Sequence, residues 1–103
     1  MAYRTDFSFS GAVKEDIDVR PPSSYKVIFF NDDYTTKEFV VQVLKQIFHK
    51  NSADAVKIME SVHTTGRGIA GVYPYDIALT RKEMTVSLAR KEGFPLRCEL
   101  EEN

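Results

Sequence analysis

The chain has 103 residues, a mass of 11.8 kDa and a formal net charge of −1, from 14 Lys and Arg against 15 Asp and Glu. That length holds one domain with one modest core, and leaves no room for a cofactor-binding fold beside a substrate domain. The balanced charge argues against a nucleic-acid binder, which needs a basic footprint for phosphates; the single cysteine, Cys98, excludes an internal disulfide and a cysteine zinc site.

Residues 1–24 differ from the rest. Their apolar side chains follow no period, and the stretch closes in Arg20-Pro21-Pro22-Ser23-Ser24. Prolines withhold backbone donors and favour extended polyproline geometry. A mobile N-terminal extension is expected over 1–24, with the folded domain spanning 25–103. Residues 25–30 are β-branched and aromatic and stop at Asn31-Asp32-Asp33, which predicts a strand. Thr35 and Glu38 have capping-box spacing. Phe39, Val40, Val43, Leu44, Ile47 and Phe48 then form one apolar stripe at helical spacing. Asn51-Ser52 breaks and re-caps the chain into a second helix with Ala55, Ile58, Met59 and Val62 on one face.

Gly66, Gly68 and Gly71 lead into a short strand over 69–73 that Pro74 ends. They spell G-x-G-x-x-G. A dinucleotide site needs strand before and helix after, and the order here is reversed, so a helix C-cap and a positive-φ turn are expected. Tyr75 or Asp76 starts a third helix, with Ile77, Met84 and Leu88 expected inward and Gly93 as its stop. Residues 96–100 alternate apolar and charged, which predicts a half-exposed strand. The order β-α-α-β-α-β gives an α+β fold: a three-stranded antiparallel sheet with three helices packed on one face.

No apolar run approaches the roughly 20 residues of a membrane span, and the N-terminus shows no apolar signal-peptide core. A cytoplasmic location and no membrane partner are expected. Asn31-Asp32-Asp33 reads as a turn bonded to its own backbone, or as the acceptors of a site if His63 faces it. Met59 and Val62 place apolar surface beside the His63 ring. His49 is the other histidine, too few for a metal centre. No Ser or Cys nucleophile accompanies His63 and Asp32 or Asp33, so no enzyme activity, metal or cofactor is expected.

The ordered set of Tyr25-Lys26-Val27, Asn31-Asp32-Asp33-Tyr34-Thr35, Glu38-Phe39-Val40, Val43-Leu44, Ala55, Ile58-Met59, Val62-His63, Gly66, Gly68, Gly71-Val72-Tyr73, Pro95-Leu96 and Cys98 closely resembles the ClpS family. These are bacterial adaptors of the ClpAP protease for N-degron substrates. The resemblance covers about residues 25–101. It implies that the chain binds proteins beginning with Leu, Phe, Tyr or Trp and passes them to a ClpA-type AAA+ unfoldase, through the unfoldase's N-terminal domain, for degradation by ClpP. It further implies amine binding by Asn31, His63 and an Asp, Asp33 before Asp32. The implied apolar pocket has Val40, Met59, Val62 and Leu96, with Thr35 at its rim. The implied unfoldase surface includes Asp76 and Arg81. Many members carry Met where Lys37 stands here, which puts strict exclusion of Ile and Val in question. A monomer is expected. Two rival readings are a small hydrolase using His63 and Asp33, and an interaction module of the same fold that binds the unfoldase without a degron.

Overall fold

The computed structural model describes residues 23–103. The expected N-terminal extension therefore lies outside the described residues, save for Ser23 and Ser24. Ser24, expected in the linker, is already the first residue of strand β1 (Ser24–Phe30). There follow α1 (Lys37–Gln46), α2 (Ser52–Thr65), β2 (Arg67–Pro74), α3 (Tyr75–Lys91) and β3 (Arg97–Glu102). β1 is central, and β2 and β3 both pair with it antiparallel. The expected α+β order is the observed one.

Period-two alternation divides the β1 side chains between the faces. Val27 and Phe29 point into the core, where they join Ala70, Cys98 and the buried faces of α1, α2 and α3 in one cluster. Phe29 and Phe48 meet edge to face, with centroids 5.5 Å apart. The opposite face ends at Phe30, whose ring lies under the guanidinium groups of Arg97 (4.3 Å) and Arg67 (5.6 Å). These are its register partners on β3 and β2. The last residue before Asn31 is thus held from both sides.

Four expectations are corrected in detail. The α1 cap is Thr36, not Thr35: its side chain accepts the Phe39 N–H at 3.1 Å. Helix α1 ends at Gln46, and Ile47 and Phe48 continue its buried face from the turn beyond. That turn needs His49 at φ 55°, and the Lys50 N–H reaches back to the Leu44 carbonyl at 3.0 Å. Of the three loop glycines only Gly66 has a positive φ; Gly68 and Gly71 lie inside β2.

The fourth correction concerns α3. Ile77 and Met84 are 42% and 47% exposed, while Ala78, Thr85 and Ala89 are buried. Ile77 and Met84 each sit one position, about 100° of helix rotation, from a residue that faces the sheet, while Leu88, the third expected residue, packs partly buried against the core. Small side chains let the helix approach closely, and the buried Thr85 hydroxyl is satisfied by the Arg81 carbonyl (2.9 Å).

Candidate functional site

The candidate site starts where β1 ends. The backbone N–H of Asn31 donates to the Gly66 carbonyl at 3.0 Å. This bond ties the turn after β1 to the end of α2, three residues from His63. Gly66 ends α2 at φ 93°, with its N–H on the Val62 carbonyl (3.1 Å). A Cβ at that angle is strained, so glycine suits the position. Gly68 has a different reason: a Cβ there would lie 2.8 Å from Val62 Cγ2 and 3.2 Å from the Ile58 carbonyl. Strand β2 thus packs directly against α2 behind Val62.

Asp32 builds the turn itself. Its Oδ1 accepts the N–H groups of Tyr34 (2.8 Å) and Thr35 (2.7 Å), and its Oδ2 accepts the Thr35 hydroxyl (2.7 Å). Burial raises the Asp32 pKa, but these three bonds outweigh it and hold the carboxyl below its ordinary value. The self-bonded turn expected from composition is therefore present, and it consumes one of the two carboxylates. Asn31, Asp33 and His63 are exposed, and none has a side-chain hydrogen-bond partner among the described residues.

These groups line one cavity of ≈450 Å³. Asn31, Asp32, Asp33 and His63 supply its polar part, and Val40, Met59 and Val62 an apolar wall. Thr35 lines it too, with its hydroxyl already committed to Asp32. Leu96, expected on the wall, does not line the cavity; it is buried in the core cluster that also holds Val40, Met59 and Val62. Tyr34, Thr36, Lys37 and Glu38 also line it. Sequence reasoning missed Tyr34, Thr36 and Glu38 as lining residues. Tyr34 is 76% exposed, and an aromatic ring between an Asp pair and a Thr pair was the available signal. Asp32, Asp33 and Glu38 against Lys37 leave the lining negative. Acceptors and carboxylate charge beside an apolar wall suit a ligand that joins a cation to an apolar side chain.

Asp76 and Arg81 share a separate, shallow cavity of ≈320 Å³ at the start of α3, with Ile77 and Thr80. Asp76 accepts the Ile77 N–H at 3.0 Å. Arg81 reaches across to the Ile47 carbonyl (2.7 Å), beyond the end of α1, and lies 5.4 Å from the Tyr73 ring centroid. It therefore locks α3 to the α1–α2 turn whatever else it does. Cys98 is buried in the core, and burial pushes its thiol up to about 12, against the opposing pull of Lys82 and with a further push from Glu99.

Among the described residues no helix is long and apolar enough to cross a membrane, and no group of three acidic, His or Cys side chains could hold a metal. The family described as ATP-dependent Clp protease adaptor protein ClpS matches residues 20–99. The ATP-dependent Clp protease adapter protein ClpS of Wolinella succinogenes is 49% identical over 94 residues, which is 91% of this chain and 92% of that protein. The protein of the same name from Clostridium acetobutylicum is 50% identical over 95 residues, 92% of this chain and 94% of that one. Among solved structures, Agrobacterium tumefaciens ClpS2 bound to L-phenylalaninamide matches with TM-score 0.77 and 36% identity, covering 81% of this chain and 100% of the other. By its family match, by these relatives and by its fold, the chain belongs to the ClpS family of ATP-dependent Clp protease adaptors.

Proposed function

We propose that this adaptor binds the free N-terminus of proteins that begin with Leu, Phe, Tyr or Trp and hands them to a ClpA-type unfoldase, without catalysing a reaction itself. The observation that carries this reading is the single ≈450 Å³ cavity that unites Asn31, Asp33 and His63 with Val40, Met59 and Val62. An α-ammonium has three N–H donors, and burying it without acceptors is costly. The Asn31 side-chain carbonyl and a His63 ring nitrogen accept from it, while Asp33 supplies charge. Asp32 holds the turn through three hydrogen bonds and adds its negative charge to that of Asp33. The neighbouring apolar wall takes the first side chain, whose burial contributes roughly 1.5–3 kcal/mol. The ligand named for the Agrobacterium relative supports this: L-phenylalaninamide pairs a free α-amine with an apolar aromatic side chain.

In this reading Asp76 and Arg81, at the start of α3, belong to the unfoldase contact, and Leu96 backs the apolar wall from the core. Residues 1–24 form the segment that the unfoldase engages. Fluorescence anisotropy with a peptide beginning Leu or Phe tests the amine site. Acetylating its N-terminus removes the charge and two of the three donors, and each charge-assisted bond lost is worth about 1.5–3 kcal/mol. The acetylated peptide is expected to bind at least ten-fold more weakly; equal affinity for the two forms refutes the reading.

A further inference from the structure

A second groove adjoins the amine cavity. It encloses ≈420 Å³ along α1, with Val41 and Met59 as its apolar lining and Lys37 and Lys45 among its borders. It shares Lys37, Glu38 and Met59 with the amine cavity, so these residues are the divide between the two. The charge changes sign across that divide. Asp32, Asp33 and Glu38 outnumber Lys37 on the amine side, whereas Lys37 and Lys45 outnumber Glu38 in the groove. A surface that is negative at one end and positive at the other complements a chain with a free ammonium at its start and a carboxylate further on.

The spacing fixes where that carboxylate belongs. Lys37 and Lys45 are eight residues apart on one helix, a rise of roughly 12 Å. An extended peptide advances about 3.3 Å per residue. A chain whose first residue sits in the amine cavity therefore reaches Lys45 with its fourth or fifth residue. We propose that the α1 groove is a docking site for the residues that follow the N-terminal one in the same bound protein, and that Lys45 selects an acidic side chain at position four or five. This rests on the reading of the amine cavity given above and adds a sequence preference to it.

The test compares two peptides on the full chain by anisotropy at low salt: Leu-Ala-Ala-Glu-Glu and Leu-Ala-Ala-Lys-Lys, each with a free N-terminus and a dye at its far end. Exposed ion pairs are weak, so the acidic peptide is expected to bind roughly two- to five-fold more tightly, with the gap closing as salt screens it. Lys45 is exposed, so Lys45→Glu folds normally, and it is expected to reverse the order; Lys45→Gln is expected to abolish the difference. Equal binding of the two peptides, or an order that survives Lys45→Glu, overturns the groove while the requirement for a free amine stands. Loss of that requirement, seen as equal binding of free and acetylated peptides, overturns the amine site and the groove with it.

Discussion

The two neighbouring carboxylates should fail in different ways when removed. Asp32→Ala deletes three hydrogen bonds of 2.7–2.8 Å that hold the Asp32–Thr35 turn. Bonds to a charged acceptor are worth up to about 1.5–3 kcal/mol each when buried, but this carboxylate is only partly buried. Truncating a comparable capping residue costs about 0.5–2 kcal/mol, so a loss of about 1–2 kcal/mol is expected at pH 7. For a domain of this size that lowers Tm by roughly 4–16 °C. The pH dependence has a definite sign. The folded carboxyl lies below its ordinary value of 3.8, so its contribution is complete above pH 5 and is lost as pH falls through the folded value. Urea unfolding curves at pH 7 and at about pH 2.5 should therefore show a gap between wild type and Asp32→Ala that narrows in acid. Asp33→Ala, whose side chain has no partner among the described residues, should leave stability unchanged and weaken peptide binding. Equal stability of wild type and Asp32→Ala at pH 7, or a gap that persists in acid, refutes the assignment of Asp32 to the turn.

Asn31→Ala and His63→Ala should each weaken binding of a Leu peptide by more than about 1 kcal/mol, roughly five-fold, without moving the melting curve; an unchanged Kd for both removes them from the site. Gly68→Ala forces a Cβ onto Val62 and should cost about 1–3 kcal/mol in a chemical unfolding experiment; a neutral result means that β2 and α2 separate easily. The Cys98 thiol, pushed up to about 12 inside the core, should resist iodoacetamide in the native protein and react on unfolding; mass spectrometry after a timed exposure distinguishes the two. Lys37→Met replaces a charged side chain by an apolar one at the divide between cavity and groove, and should raise the Leu-to-Ile affinity ratio; an unchanged ratio places Lys37 on the solvent side of that divide.

What was legible in the sequence follows from how locally each feature is encoded. Strand β1, the stripe on α1 and the Asn51 cap rest on side chains within one or two turns of one another, and all stand in the structure. The Asn51 side chain accepts the Asp54 N–H at 2.8 Å. Thr35 and Thr36 compete for one cap, and only the fold assigns Thr35 to Asp32 and Thr36 to the helix. The inward face of α3 was misread because bulk is a poor guide where a helix lies close to a sheet. Ala78, Thr85 and Ala89 are small enough to let it approach, and that leaves Ile77 and Met84 outside. Leu96 was placed on the cavity wall by resemblance; it shares one core cluster with the wall residues Val40, Met59 and Val62, and periodicity does not say which members of a cluster reach the cavity.

The cavity's two halves depend on one another through the backbone. The Asn31 N–H on Gly66 brings the polar residues to the end of α2, while the close approach of Gly68 sets Val62, on the next turn, against β2. Polar pole and apolar wall are thus positioned by one junction three residues long, Gly66 to Gly68. A shift of β2 there moves Asn31 and His63 relative to the apolar wall, which in the proposed reading changes how a first residue fits. In that reading, selectivity for the first side chain depends on packing at this junction as well as on the lining residues. Gly68→Ala should for that reason change the ratio of Leu to Phe affinities as well as stability; a variant that loses stability while keeping that ratio would show the wall to be set by α2 alone.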